Sequence, residues 1–109
     1  MKHSAEYYIE HLEMEPHVEG GYFKECLLEK EERNLWSSIY FMLAKGEVSH
    51  FHRLKSDEVW YYHDGNALTI YMIDEAGKLT AAKLGLDLEK GEVPQVLVPK
   101  GMIFGSVME

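Results

Sequence analysis

Hydrophobic and polar residues alternate along most of this chain, and the alternation has a period close to two. That period is typical of strands that bury one face and expose the other. Many close strands separated by turn signals predict an all-β, antiparallel sandwich or barrel and oppose an α/β fold. Runs rich in β-branched and aromatic residues predict strands at 22–28, 36–44, 48–54, 58–63, 67–74 and 78–85, with two shorter strands within 94–107.

The first residues of the chain follow a different period. Tyr8, Ile9 and Leu12 form one apolar stripe at helical spacing, and Ser4 stands where a helix N-cap is preferred. These residues predict a short helix over about 4–13, ahead of the strands.

The segments between the strands are charged or rich in turn-forming residues. The run EKEERN at 29–34 predicts a solvated loop between the first two strands. Residues 64–66 (DGN) and 75–77 (EAG) predict hairpin connections. A further hairpin is expected to close around 54–57.

Length, composition and charge narrow the class of protein. The chain has 109 residues, 46% of them apolar, which suits a single domain over 1–109 with barrel strands over about 22–107. The net charge of −8 opposes binding to nucleic acid or to anionic membranes, since both attract basic surfaces. One cysteine permits no internal disulfide, and no secretory signal or bilayer-length apolar run is present. A cytoplasmic location is therefore expected.

The candidate chemistry lies in the segment VSHFHRLKSDEVWYYHDG at 48–65. Alternation along a strand predicts that His50 and His52 project to one side. If a hairpin closes around 54–57, Glu58 faces the same interior. Two imidazoles and a carboxylate form a facial triad that suits Fe(II), Mn(II), Ni(II) or Zn(II). Without a metal, His52 supported by Glu58 has the chemistry of a general base.

The spacing of these residues resembles the first motif of the cupin superfamily. Gly46, the His50-Phe51-His52 triplet, Glu58 and Gly65 carry that resemblance, and VPKGMIFGS at 98–106 resembles the second motif. In the second motif Phe104 stands where a histidine usually completes the metal set. The resemblance therefore implies two histidines and one glutamate at most, so a metal is not the favoured interpretation.

Three longer segments resemble one cupin group, the cupin-5 domain of unknown function. They are VEGGYFKE (18–25), SSIYFMLAKGEVSHFHRLKSDEVWYYHDGNALTIYMI (37–73) and LVPKGMIFGS (97–106). The resemblance implies a cupin-type β-barrel or jelly-roll sandwich with a small-ligand pocket, similar in shape to sugar-nucleotide epimerases. Family members usually continue beyond the second motif with strands that close the barrel. An open sheet edge must be covered or paired, so a homodimer is expected.

The sequence thus predicts a protein that binds a polar or carbohydrate-like small molecule, and it leaves open whether the protein is an enzyme. One alternative is a metal-independent epimerase or isomerase with His52 as base, and another is a metal-dependent cupin enzyme. A third is a non-enzymatic module with a vestigial pocket. The candidate catalytic residues are His52, Glu58 and Tyr40, the candidate ligand-binding residues are Glu19, Gly21, Tyr22, Trp60 and Tyr62, and the candidate metal ligands are His50, His52 and Glu58.

Overall fold

Ten strands, one short α-helix and one 3-10 helix form the described part of the chain. The computed structural model describes residues 3–30, 34–44 and 46–108, with 27–30 and 34–36 described by their backbone alone. The elements are α1 (Ala5–His11), β1 (Glu15–Pro16), β2 (Tyr22–Lys30), β3 (Asn34–Met42), β4 (Val48–Arg53), β5 (Glu58–Tyr61), β6 (Leu68–Ile73), β7 (Leu79–Leu84), the 3-10 helix (Leu88–Lys90), β8 (Glu92–Val93), β9 (Gln95–Val98) and β10 (Ile103–Met108).

Two sheets enclose the hydrophobic core. One has five strands in the order β4-β10-β6-β7-β8, and the other is the pair β5-β9. Alternate residues of β9 point inward, as their burial shows, whereas β10 is buried over Phe104, Gly105 and Ser106. The mainly β, jelly-roll sandwich predicted from the sequence is confirmed. The buried residues of this core are Ile70, Met72, Leu84, Val96, Val98 and Phe104.

A third sheet, β1-β2-β3, joins this sandwich through the loop before β2. The carbonyl oxygen of Glu19 accepts a 2.7 Å hydrogen bond from the backbone N–H of His50, at the middle of β4. Gly20 makes this approach possible, because its φ is +112° and a Cβ there would lie 2.0 Å from the carbonyl oxygen of Val48. Phe41 of β3 reaches the sandwich as well, with its ring centroid 5.6 Å from that of Trp60.

The helix is confirmed, with a shorter range than predicted. It runs over Ala5–His11, and the Ser4 side chain accepts a hydrogen bond from the backbone N–H of Tyr7. The Tyr8 hydroxyl donates to a carboxylate oxygen of Asp64 over 2.6 Å, which ties the helix to the loop after β5. This hydrogen bond raises the pKa of the Tyr8 phenol. No helix among the described residues is long and apolar enough to cross a membrane.

The predicted hairpins have different outcomes. The connection at 75–77 joins the antiparallel pair β6 and β7 and is a hairpin. The predicted hairpins at 54–57 and 64–66 are wrong, because β4 pairs with β10 while β5 pairs with β9. Both connections instead carry the chain from one sheet to the other. The reason is that strand pairing depends on long-range packing, which a turn signal does not report.

Three other details differ from the sequence-based expectation. The charged run at 29–34 was predicted to be a loop, but β2 continues to Lys30 and β3 begins at Asn34, so both ends of the run are in strands. Residues 31–33 lie outside the described residues. The short strands β1 and β8 and the 3-10 helix were not expected. The β7-β8 pairing is parallel, so the five-stranded sheet is mixed.

The Gly20 contact generates the first prediction. Gly20→Ala should lower the free energy of unfolding by about 3 kcal/mol or more, because backbone strain and steric overlap each cost about 1–3 kcal/mol. The matched control is Gly77→Ala, since Gly77 also has a positive φ (+83°) but no atom within 4 Å of the added Cβ. That control should cost about 1–2 kcal/mol. Urea unfolding measures both, and equal losses would contradict the close contact with Val48.

Candidate functional site

A β-bulge in β4 determines which side chains enter the sandwich. Phe104 of β10 pairs with His52, and Ser106 pairs with Ser49, so three steps along β4 match two along β10. The residue between the two pairs is Gly105, and a Cβ there would lie 2.9 Å from the carbonyl oxygen of Ser49. Glycine therefore lets the bulged strand approach β10 closely.

The bulge separates the two histidines of the HFH triplet. Ser49 is buried and His52 is half-buried, whereas His50 and Phe51 are exposed. The prediction that His50 and His52 share a face is corrected here, because the extra residue interrupts the alternation on which it rested. Only His52 is paired with a buried residue of the core, Phe104.

His52 is held by its own strand. Its Nδ1 lies 2.8 Å from the carbonyl oxygen of His50. A carbonyl oxygen only accepts, so Nδ1 carries the proton, and the neutral ring keeps its lone pair on Nε2. The imidazole also contacts the Phe104 ring, with centroids 4.3 Å apart. Among the described residues no hydrogen-bond partner occupies Nε2.

Glu58 faces the same interior from the opposite sheet. It is half-buried at the start of β5, and its Oε2 accepts a 3.0 Å hydrogen bond from the indole Nε1–H of Trp60. Within the described residues no hydrogen bond joins Glu58 to His52. The expected interaction between His52 and Glu58 is therefore not made. The His52 ring bonds to the His50 backbone carbonyl, and the Glu58 carboxylate bonds to the Trp60 indole.

These positions do not fit a metal ion. His50 is exposed at the bulge, Glu58 binds the Trp60 indole, and the Phe104 ring packs on His52. Across the ranges that the structure describes, no group of three or more His, Cys, Asp or Glu side chains could hold a metal. The three candidate metal ligands are thus not brought together.

Aromatic side chains form the apolar part of the site. Trp60 is half-buried against the core and meets the rings of Phe41 and Phe104 edge-on, at 5.6 and 6.5 Å. Tyr62 also packs on the core, but its hydroxyl donates to the carbonyl oxygen of Gly65 over 2.6 Å. Tyr62 therefore stabilises the loop after β5.

Tyr40 does not join this aromatic group. It precedes Phe41 in a regularly paired part of β3, so the two side chains point to opposite faces. Phe41 contacts Trp60, whereas Tyr40 is 42% exposed and lies 6.2 Å from the His63 ring. The prediction that Tyr40 is a catalytic residue together with His52 is corrected, because Tyr40 lies on the face of its strand opposite to Phe41 and Trp60.

The remaining candidates hold the sheets together. Glu19 bonds to β4 through its backbone, as described above. Gly21 is buried with φ +75°, and a Cβ there would lie 2.5 Å from the carbonyl oxygen of Met42. Tyr22 begins β2 and pairs with Met42. A ligand contact by these three residues stays a prediction.

A family model matches residues 6–109, that of Cupin_5, described as "Cupin superfamily (DUF985)". The chain belongs to this family. Two solved structures are similar. A crystal structure of a protein from Shewanella oneidensis is 57% identical, has a TM-score of 0.94, and the match covers 98% of this chain and 70% of that chain. A hypothetical protein from Leishmania major is 34% identical, with a TM-score of 0.87 and coverage of 95% and 69%. No curated protein matches significantly.

Within this cupin-5 fold, four residues of the site were not predicted from the sequence: Phe41, which contacts Trp60, and Ser49, Gly105 and Ser106 at the bulge. Only Ser106 could have been found from the sequence, because it is a polar residue in a strand of otherwise apolar residues and glycine, IFGSVM. A depression elsewhere on the surface is lined by charged residues and includes no candidate site residue. Its lining is Glu13, Glu15, Phe23, Lys24 and Glu25.

The Glu58–Trp60 hydrogen bond generates the second prediction. Glu58→Ala should lower the free energy of unfolding by about 1.5–3 kcal/mol, because it leaves a half-buried indole N–H without its charged acceptor. Glu58→Gln should cost less, since its amide oxygen also accepts. In a Trp60→Phe background the Glu58→Ala loss should shrink. An undiminished loss in urea unfolding would contradict this hydrogen bond.

The orientation of His52 generates the third prediction. Nitrogen-15 NMR of the imidazole should show the neutral ring protonated at Nδ1 and unprotonated at Nε2. His63, which is exposed, provides an internal comparison and should show the tautomer mixture of a solvated imidazole. A ring protonated at Nε2 for His52 would exclude the hydrogen bond to the His50 carbonyl.

Proposed function

We propose that the protein binds a small polar molecule on the inner face of the sandwich, with His52 as its main polar contact. The observation that carries this proposal is the exchange of side chains at the bulge. With Ser49 buried, regular alternation would place Phe51 inside and His52 outside. The chain instead leaves Phe51 54% exposed and keeps His52 half-buried.

This exchange has a free-energy cost. Full burial of a phenylalanine side chain contributes about 1.5–3 kcal/mol relative to exposure, and a polar imidazole gains nothing comparable from the same position. Arrangements that oppose local stability occur most often at functional sites. A role in binding explains why an imidazole, rather than a phenyl ring, faces the interior.

The surroundings of His52 suit a small organic ligand. Ligand sites combine apolar and aromatic walls with a few well-placed polar groups. Phe104 and Trp60 provide the aromatic wall, while the Nε2 of His52 provides an acceptor. Among the Lys and Arg side chains that the structure describes, all are exposed except that of Lys24, which is half-buried and whose Nζ lies 3.8 Å from a carboxylate oxygen of Glu13. The site therefore favours neutral ligands over anions.

Proton transfer is the second candidate function, and the tautomer of His52 favours it. An Nε2 lone pair beside an apolar wall can remove a proton from a carbon next to a carbonyl group, as epimerases and isomerases require. The electrons of that C–H bond move to the carbonyl oxygen, and the proton stays on Nε2. The imidazolium then delivers this proton to the former carbonyl carbon, while the hydroxyl proton of the neighbouring carbon passes to the former carbonyl oxygen, so the carbonyl group moves by one carbon. His52 fills both roles, because Tyr40 faces away and the Tyr62 hydroxyl binds Gly65, and a single base on one face supports isomerisation rather than epimerisation.

The fourth prediction concerns ligand binding. A thermal-shift and NMR screen of neutral aldoses, ketoses and polyols should find at least one binder, since a ligand of the folded state raises the melting temperature. His52→Ala should weaken that binding about tenfold or more, which corresponds to about 1.4 kcal/mol. His63→Ala is the matched control and should bind normally.

Two results would count against this function. Equal affinity in His52→Ala and the wild type would exclude His52 as the main contact. A loss in His50→Ala as large as that in His52→Ala would favour a site built from both histidines. For proton transfer, the protein should incorporate solvent deuterium into a bound ketose, and the absence of exchange across the panel would exclude that second function.

A further inference from the structure

The hydroxyl of Ser106 is buried and has no hydrogen-bond partner among the described residues. Ser106 lies at the middle of β10 and is 4% exposed. It pairs with Ser49 of β4, which is 6% exposed, and with Ile70 of β6, which is fully buried. Ser106 therefore lies between a buried serine on one neighbouring strand and a fully buried isoleucine on the other.

Such a hydroxyl opposes folding. A buried polar group without a partner keeps the cost of losing water and gains no hydrogen bond in return. Folded proteins contain few such groups, and each one calls for a physical explanation. Alanine would fill the same volume without this cost, so stability alone does not explain serine at this position.

The position of Ser106 connects it to His52. Phe104 precedes Ser106 by two residues on β10 and faces the same interior, and Phe104 is the residue that pairs with His52. Two residues along a strand span about 7 Å. Ser49, Ser106 and His52 thus lie on one face within the reach of a single compact molecule.

We propose that Ser106, together with Ser49 across the strand pair, binds the far end of the ligand that His52 contacts. This inference rests on the proposed function. A serine hydroxyl donates and accepts, so it matches a hydroxyl or a carbonyl oxygen of the ligand. No basic side chain is buried among the described residues, and the Glu58 carboxylate faces the same interior. The ligand class is therefore a neutral polyol or ketose without a phosphate group.

Ser106→Ala tests the inference with two readouts. In the free protein the melting temperature should rise, because the substitution removes an unsatisfied hydroxyl from the core. Affinity for the best-binding neutral ketose or polyol should fall about tenfold. Ser38→Ala, an exposed serine on β3, is the matched control and should change neither quantity. Stability gained together with binding lost is the combination expected of a ligand-binding group.

Several outcomes would overturn the inference. A lower melting temperature of the free Ser106→Ala protein would show that the hydroxyl is already satisfied, for example by an ordered water. Unchanged ligand affinity in Ser106→Ala, with affinity lost in His52→Ala, would exclude Ser106 as a ligand contact. The proposed function of His52 would still hold. Unchanged affinity in both variants would remove both proposals, as would an absence of binders. Stronger binding of sugar phosphates than of the neutral sugars would remove the ligand class.

Discussion

The candidate site depends on one backbone feature, the bulge of β4 opposite Gly105. Side chains along a strand alternate between two faces, so a single extra residue reverses the faces of everything beyond it. Here the reversal brings His52 inward beside Phe104 and turns Phe51 outward. Gly105 lets the bulged backbone lie close to β10, since a Cβ would meet the Ser49 carbonyl oxygen at 2.9 Å. A contact between two backbones thus determines which ring faces the interior.

The inner face of the sandwich carries other polar side chains besides His52. Ser49 and Ser106 form a cross-strand pair of buried hydroxyl groups next to the His52–Phe104 pair. Glu58 approaches from the facing sheet and binds the Trp60 indole. A sandwich that served only for packing would have apolar residues at these positions, because their burial contributes more to stability. Ser106 also pairs with the fully buried Ile70, so these polar groups lie directly beside the apolar core.

Local patterns predicted the elements well and the contacts between them poorly. Strand segments follow from alternation, which is a property of consecutive residues, so most predicted strands match the observed ones to within a few residues. The Ser4 cap is equally local and is confirmed. The partners of β4 and β5 are β10 and β9, which are distant in sequence, so the turn signals at 54–57 and 64–66 led to wrong predictions of strand pairing. The predicted directions of the His50 and Tyr40 side chains were wrong for related reasons. A bulge and the packing of one sheet on another have no unique local sequence signature.

The partner of the His52 ring constrains the chemistry further. A carboxylate at Nδ1 would raise the basicity of the imidazole and stabilise its charged form. The His50 carbonyl fixes the same tautomer with a neutral dipole, and Glu58 is occupied by Trp60. A neutral imidazole presents Nε2 as an acceptor, so the ligand group that it contacts must donate a hydrogen bond. A hydroxyl meets that requirement and a carbonyl does not, so the proposed function expects a ligand hydroxyl at His52 and accepts either group at Ser106.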